Sequence, residues 1–242
     1  MEQFVRTARR ERSLNPDKDL RISQEAEHMA IQFGNSIASS RRMPPLETVV
    51  TKLHRLLMSP FFLPEYRDQY AGRYSRGSVS VIGAGIEPVP PEKLNESMHQ
   101  YYTTLQERLR EVESNPRDSL AFLDMISFAH YGLTSRHPFI DGNGRTARHL
   151  MRAMSRRFGY RPIIIGLNQR GEYLDSLEKV AQTDNLNHFT LFLAKSFLDN
   201  YSSEQPLDKH CFARIKHAVS DIELRILTVD IESKNRKITL GL

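Results

Sequence analysis

The stretch from Asp118 to Phe158 reads DSLAFLDMISFAHYGLTSRHPFIDGNGRTARHLMRAMSRRF, and its pattern indicates the fold class. Its first part, Asp118 to Tyr131, is strongly apolar, which predicts a helix in the centre of the core. Its last part, about Gly144 to Phe158, has helical spacing of apolar residues and many arginines. A glycine-rich loop beginning near His137 separates the two. This order predicts a helical domain whose chemistry lies at the loop.

Helical spacing of apolar residues recurs along the rest of the chain. The other predicted helices are Glu25 to Ser36, Leu46 to Met58, Leu94 to Glu113, Gly171 to Gln182, Asn187 to Tyr201 and Lys209 to Ile231. One strand signal interrupts them, because Ser78 to Ile82 alternates and is β-branched, and Gly83 and Gly85 supply a turn. We therefore expect an all-α fold, a helical bundle that carries one small β-hairpin.

Bulk properties indicate a globular protein. The chain has 242 residues, of which 39% are hydrophobic and 26% charged. A single cysteine, Cys211, excludes an internal disulfide and favours a reducing compartment. No apolar run approaches the roughly 20 residues of a membrane helix, and Met1 to Arg12 lacks the apolar segment of a secretory signal. We expect a cytoplasmic protein, or one delivered to another cell without a cleavable signal, and no membrane partner.

The charge is unevenly distributed, with a net value of +5 for the whole chain. Between residues 136 and 157 there is one acid, Asp141, and there are six arginines: Arg136, Arg145, Arg148, Arg152, Arg156 and Arg157. Such a concentration favours an anionic ligand, either nucleotide phosphates or a polynucleotide backbone. Nucleic acid is the less expected of the two. The last two arginines are expected to form a solvated helix end.

The loop from His137 to Arg148 combines groups that suit a nucleotide. Gly142 and Gly144 permit a tight turn in which backbone N–H groups converge on an anion. The following helix directs its positive N-terminal end to the same point. Arg145 and Arg148 are three residues apart on this helix, so they can bind successive phosphates.

Three other side chains of the loop have separate expected roles. Asp141 offers a hard carboxylate beside the phosphates, which is the usual way in which Mg²⁺ is held by few protein ligands. His137 can accept a proton near neutral pH and is the candidate general base. These two residues lack a further histidine or cysteine at the spacing of a transition-metal site. Phe139 is expected to anchor the loop in the core and to take no part in the chemistry.

The segment from His137 to Arg148 resembles the signature loop of the Fic (Fic/Doc) family, HxFx(D/E)GNGRxxR, at every specified position. Further similar landmarks follow in order: Leu53 to Leu57, Gly72 to Tyr74, Val79 to Gly83, Pro90-Pro91 and Arg170 to Leu177. The resemblance implies a Fic-like catalytic domain at residues 45–200 with a flap at 72–91. A helical segment, 1–44, would precede this domain, and a helical extension, 201–242, would follow it.

The resemblance implies a protein adenylyltransferase, a nucleotidyltransferase that moves AMP from ATP to a Ser, Thr or Tyr hydroxyl of a target protein. His137 would deprotonate the hydroxyl, and Asp141 would hold Mg²⁺. Asn143 and the amides of Gly142 and Gly144 would hold the α-phosphate and its developing charge.

Other positions of the resemblance would bind the rest of the two substrates. Arg145 would hold the β-phosphate, Arg148 the γ-phosphate, and Tyr173 the adenine. The catalytic set is therefore His137, Asn143 and Arg145. The flap residues Val79, Ser80, Val81 and Ile82 would pair with the target segment as an added strand.

Fic enzymes are often restrained by a helix with the pattern (S/T)xxxE(G/N), whose glutamate pairs with the second arginine of the loop. Four segments here meet the first five positions and end at Glu11, Glu27, Glu107 and Glu232, but none is followed by Gly or Asn. The one that ends at Glu107 lies within another predicted helix. We rank Glu11 and Glu232 ahead of Glu27 as inhibitory candidates. Control by a separate inhibitor or antitoxin protein is the alternative.

Two other interpretations of function stay open at this point. The same loop could transfer a phosphate or another nucleotidyl group, or could remove AMP. A non-enzymatic toxin–antitoxin or nucleic-acid-associated protein could use the basic helix to bind polyanions. The carboxylate of Asp141, the intact Gly-Asn-Gly and both arginines favour ATP held for AMP transfer.

Overall fold

The computed structural model describes residues 16–76, 88–201 and 209–239. Within these residues the α-helices are α1 (Pro16–Ala38), α2 (Leu46–Met58), α3 (Pro64–Tyr70), α4 (Pro91–Ser114), α5 (Ser119–Arg136), α6 (Asn143–Arg157), α7 (Arg170–Thr183), α8 (Asn187–Asn200) and α9 (Lys209–Thr239). Single 3-10 turns occur at Ser59–Phe61 and Leu167–Gln169. The expected helical body is confirmed for this part of the chain. The predicted hairpin at Ser78 to Ile82 lies outside the described residues.

The helices differ from the prediction at several boundaries; α9, for example, continues to Thr239 rather than ending at Ile231. Helix α1 begins at Pro16, before the first apolar residues of the predicted repeat, because a polar first turn leaves no periodic signal. Helix α5 continues to Arg136 and so ends immediately before His137. Helix α3 was not predicted, because seven residues starting at Pro64 are too short to show a helical period.

The chain divides into two compact units. Among the described residues, the first unit comprises 16–76, 88–107 and 129–162, and the second comprises 108–128, 163–201 and 209–239. The first unit contains the loop that precedes α6. The division predicted from the family resemblance, at residues 44/45 and 200/201, stays a prediction.

In the first unit, α1, α2 and α6 pack on one another. Ala26, Ala30 and Ile37 are the buried face of α1, each at most 4% exposed. The two long helices α1 and α6 approach closely at Gly34, where an added Cβ would lie 3.4 Å from Cβ of Ala153. Helix α1 is therefore part of the core that supports α6.

The arginine pair at the end of α6 joins it to the end of α1. Arg156 Nη1 donates to Asn35 Oδ1 at 2.7 Å, and Arg157 Nη1 donates to the Ser40 carbonyl at 2.8 Å. Arg156 is exposed, as expected of a solvated helix end, but both guanidinium groups also have hydrogen-bond partners. Arg157 Nη1 also donates to Ile37 O at 3.3 Å, one of the last carbonyls of α1, which lack helical partners.

In the second unit, α8 packs on both α7 and α9. Its buried side chains include Phe189, Leu193 and Phe197, all fully buried. Arg225 Nη1 of α9 lies 2.8 Å from Asp124 Oδ2. None of the helices that the structure describes is both long enough and apolar enough to cross a membrane.

Candidate active site

The signature loop begins where α5 ends, and its first residue adopts an unusual backbone conformation. The N–H of His137 still donates to Leu133 O at 3.1 Å, as in a continuing helix. Its φ of +49° then turns the chain out of the helix, a conformation that costs most non-glycine residues about 1–2 kcal/mol. The imidazole is thus placed at a sharp turn between two helices, and tertiary structure has to maintain it there.

Two hydrogen bonds between Asn143 and Phe139 close the loop. The N–H of Phe139 donates to Asn143 Oδ1 at 2.9 Å, and Asn143 Nδ2 donates to Phe139 O at 2.7 Å. Phe139 is fully buried, which confirms its expected role as an anchor. The side chain of Asn143 is only 2% exposed and shapes the loop through both bonds. Its contact with an α-phosphate stays a prediction.

Gly142 makes the turn into α6. It has a φ of +78°, and a Cβ at this position would lie 2.6 Å from Cγ and Sδ of the buried Met58. The Gly142 carbonyl accepts the first helical bond, from Thr146 N at 2.9 Å. The preceding amides of the first turn have no helical carbonyl to bind. They form the positive helix end that the sequence predicts for phosphate.

Arg145 is surrounded by three groups of the first unit. Its Nη2 lies 3.4 Å from Asp141 Oδ2, and its Cζ lies 5.0 Å from the centre of the Phe61 ring. Burial lowers the pKa of Arg145, and the negative charge of Glu27 on α1 acts in the opposite direction. The side chains of Arg145 and Asp141 are still about one-third and one-quarter exposed, so both are open to a ligand.

The field of Glu27 on Arg145 yields a prediction for ATP affinity. Glu27→Gln removes a negative charge beside the proposed β-phosphate ligand, so ATP should bind more tightly. Because Glu27 is exposed, the gain should be small, about two- to fivefold. Fluorescence titration with an ATP analogue measures it. Glu25→Gln, at an exposed position on the same helix, is the matched control and should leave affinity unchanged. Equal affinities for all three proteins would contradict the predicted effect of Glu27.

The candidate base, His137, is half-buried. Burial lowers its pKa because a charged imidazolium loses solvation, and the backbone of Thr134 acts in the opposite direction. Nδ1 is buried and has no hydrogen-bond partner. A lowered pKa keeps the imidazole neutral at pH 7 and therefore able to accept a proton.

This pKa shift predicts the acid limb of the pH–rate profile. The base works only when it is neutral, so a lowered pKa extends activity to lower pH. The midpoint of the acid limb should lie below 6.5, the ordinary value for histidine. Transfer rates at subsaturating ATP, which are proportional to kcat/KM and report the free enzyme, measure this midpoint between pH 4.5 and 8. ATP affinity is followed over the same range as the control. A midpoint above 6.5 with unchanged ATP affinity would be incompatible with a base of lowered pKa.

His54 of α2 lies beneath the loop. Its Nε2 is 2.8 Å from Asp141 O, and its Nδ1 accepts from Gly72 N at 2.8 Å. The ring stacks on Phe139 with centroids 3.8 Å apart. Burial and then the charge of Arg145 lower the pKa of His54 to about 3, so the ring is neutral. Both ring nitrogens of this buried histidine therefore have backbone partners.

Arg148, the proposed γ-phosphate ligand, lies near two buried histidines of the first unit. It contributes to a lowered pKa at His130, behind burial, and at His149, behind burial and Arg152. These pKa values are about 3 and about 4, so both rings are neutral at pH 7. At pH 7 these two histidines therefore add no positive charge to that of the arginines on α6.

The remaining predicted residues fall elsewhere. Tyr173 belongs to the second unit, where its ring lies 6.1 and 6.0 Å from Phe189 and Phe192. The flap residues Val79 to Ile82 and the inhibitory candidate Glu11 lie outside the described residues. The side chain of the other candidate, Glu232 on α9, also lies outside them. Their predicted roles stay predictions.

The residues of the loop fit a magnesium ion that arrives with a nucleotide. Among the described residues, no three histidine, cysteine or acidic side chains converge as a metal-binding cluster. Asp141 is a single, partly exposed carboxylate at the loop, and it lies beside a cation, Arg145. One hard carboxylate suits Mg²⁺, which takes most of its other ligands from phosphates and water.

Comparison with known proteins agrees with this geometry. Residues 45–155 match the model of the Fic/DOC family. The chain therefore carries a Fic/DOC domain. Over 165 residues, or 68% of its length, the chain is 31% identical to the "Protein adenylyltransferase Fic" of Drosophila persimilis. It is 32% identical to the protein of the same name in Drosophila erecta, again over 68% of its length. It spans only 28% and 29% of those two relatives.

Solved structures support the Fic fold. A Fic-domain-containing signalling protein from Bacteroides thetaiotaomicron aligns with a TM-score of 0.59 at 20% identity, over 88% of this chain and 77% of that one. Fic-1 from C. elegans aligns with a TM-score of 0.54 at 26% identity, over 82% of this chain and 50% of that one. The first similarity, below a quarter identity, concerns the fold alone.

Proposed function

We propose that this Fic protein is a protein adenylyltransferase that transfers AMP from ATP to a Ser, Thr or Tyr hydroxyl of a target protein. The observation that carries the proposal is the arrangement of His137, Gly142 and Arg145 in one closed loop. A neutral histidine, a positive helix end and a partly exposed arginine are what an in-line attack on a nucleotide phosphate needs. The names of the Drosophila relatives support the same activity.

In the proposed reaction, the hydroxyl oxygen of the target attacks the α-phosphorus of ATP, and His137 accepts the hydroxyl proton. The bond from the α-phosphorus to the bridging oxygen breaks, and pyrophosphate leaves with that electron pair. The amides of Gly142 and Gly144 hold the α-phosphate oxygens, over which negative charge is spread in the transition state. Asn143 maintains the loop geometry that aims these amides.

The rest of ATP is bound by cations. Arg145 binds the β-phosphate and Arg148 the γ-phosphate, each through charge-assisted hydrogen bonds. Asp141 holds Mg²⁺, which neutralises phosphate charge when it is bound. Arg145 must exchange part of its contact with Asp141 for the nucleotide, and the 3.4 Å distance between their atoms indicates a weak pair. Tyr173 is proposed to contact the adenine.

The target is proposed to bind as an added strand along Val79 to Ile82. Main-chain hydrogen bonds would align the target segment without a strict sequence requirement. The partner is therefore a protein that can present a hydroxyl side chain in an extended segment. A separate inhibitor protein is the proposed means of control if no glutamate of the chain has that role.

Labelled ATP tests the proposal. The protein is incubated with a lysate and Mg²⁺, and with ATP labelled on either the α- or the γ-phosphate. Label from the α-phosphate on protein is the expected result. Label from the γ-phosphate alone would indicate phosphate transfer, and release of AMP from a modified protein would indicate the reverse reaction. No label from either ATP, together with tight binding to DNA, would favour a nucleic-acid-associated role.

A further inference from the structure

His54 has a defined proton position. The backbone N–H of Gly72 can only donate, so Nδ1 of His54 must be the acceptor in their 2.8 Å bond. The carbonyl of Asp141 can only accept, so Nε2 must carry the proton in the second 2.8 Å bond. Both ring nitrogens are therefore used by backbone groups. This neutral, Nε2-protonated ring cannot exchange a proton with substrate without losing one of these bonds.

The bond to Asp141 determines the direction of another group. The peptide between Asp141 and Gly142 is trans, and in a trans peptide the C=O and N–H point to opposite sides. His54 holds the Asp141 carbonyl towards α2. The N–H of Gly142 is therefore directed away from α2, and it is one of the two amides proposed to hold the α-phosphate. A rotated peptide plane would turn this donor away from the nucleotide.

The bond to Gly72 connects the same ring to the segment 72–76, which leads towards the predicted flap. This segment has two further contacts with the loop. Ser75 N donates to Pro138 O at 2.8 Å, and the rings of Tyr74 and Phe139 lie 5.7 Å apart. The base of the predicted target-binding segment and the proposed phosphate-binding peptide are thus linked through one imidazole.

We propose that His54 is a positioning residue for the transfer reaction. It directs the Gly142 N–H towards the nucleotide through Asp141, and it fixes the segment 72–76 relative to that donor through Gly72. This inference rests on the proposed adenylyl transfer, in which the hydroxyl and the α-phosphorus must be aligned within a fraction of an ångström. His54 contacts neither substrate, so its effect is transmitted only by these two bonds.

Two isosteric variants separate the two bonds. In His54→Asn, Oδ1 takes approximately the place of Nδ1 and can accept from Gly72, but no donor reaches Asp141. In His54→Gln, the longer amide places an N–H near the position of Nε2 and can donate to Asp141, but the acceptor for Gly72 is lost. Self-modification with α-labelled ATP gives an apparent KM for ATP and a limiting rate for each variant.

The two variants should differ in which constant changes. His54→Asn should raise the apparent KM for ATP by about tenfold, the scale of one unsatisfied buried hydrogen-bonding group. His54→Gln should lower the limiting rate by about tenfold and leave the KM for ATP within about twofold of wild type. Leu53→Val, at a fully buried position on the same helix, is the control for general destabilisation. It should lower the melting temperature and change neither constant. Equal effects of all three variants would overturn the proposal.

NMR of the wild-type protein gives an independent test that needs neither variant nor activity. The ¹⁵N shifts of the His54 ring should show a proton on Nε2, and the Gly142 amide resonance should shift when ATP and Mg²⁺ are added. A proton on Nδ1, or an unperturbed Gly142 amide in the ATP complex, would overturn the proposal even if both variants fail to fold. If the wild-type protein shows the expected tautomer and amide shift but transfers no AMP, the proposed function is refuted. The proposal that His54 orients the Gly142 N–H would then still hold.

Discussion

Replacing His137 with alanine should lower the rate of AMP transfer about 10²–10⁴-fold, the usual contribution of a general base. The half-buried imidazole is neutral and lies at the turn that begins the loop. The groups proposed to bind ATP, namely the helix end and Arg145, are not changed by the substitution. ATP affinity should therefore stay within about threefold of wild type while the chemical step fails. Single-turnover transfer from α-labelled ATP measures the rate, and calorimetric titration measures the affinity.

His99→Ala is the matched control, because His99 is an exposed histidine on α4 and has no part in the loop. This variant should transfer AMP at the wild-type rate. Transfer at near wild-type rate by His137→Ala would exclude His137 as the base. A parallel loss of ATP binding would instead give this residue a structural role, through the positive φ that it adopts.

The second large effect is expected from Gly142→Ala. A φ of +78° costs an L-residue about 1–2 kcal/mol, and the new Cβ would lie 2.6 Å from the side chain of the buried Met58. Relieving that overlap should add about 1–3 kcal/mol to the loss of stability. Because the same peptide directs an amide to the phosphate, ATP affinity should also fall. Urea unfolding and ATP titration measure the two effects.

Gly159→Ala provides the control for backbone strain alone. Gly159 has a φ of +74°, but a Cβ there would meet nothing within 4 Å. The free energy of unfolding of this variant should fall only by the cost of the positive φ angle, and its ATP affinity should be unchanged. A Gly142→Ala, Met58→Ala double variant should recover part of the overlap cost, which appears as a coupling free energy in a double-mutant cycle. Equal losses of stability for the Gly142 and Gly159 variants would show that the Met58 side chain can move away from the new Cβ without a cost in free energy.

The sequence predicted the elements with long periodic patterns and the loop with a dense motif. Helix α2 has the predicted limits because its apolar positions repeat over more than three turns. The loop from His137 to Arg148 was predictable because its glycines, carboxylate and arginines form one dense motif within twelve residues. The burial of Phe139 was expected from the same motif, because phenylalanine is one of the residue types most often buried.

The long-range partners of the site could not be predicted. Asp141 O and Gly72 N are 87 and 18 residues from His54, and no periodicity connects such positions. The electrostatic effect of Glu27 on Arg145 likewise depends on how α1 packs against α6. The sequence ranked Glu27 behind the terminal glutamates by pattern alone. A match to a sequence pattern does not show which residues lie close together in the folded chain.

The packing of α1 on α6 determines how far this protein can be truncated from its N-terminal side. The family match begins at residue 45, but α1 ends before that point and covers α6 with Ala26, Ala30 and Ile37. A fragment that starts at residue 45 would expose an apolar strip along the arginine-bearing helix and remove the acceptors of its last two guanidinium groups. The smallest autonomous folding unit therefore has to include α1, although the recognisable family signature does not.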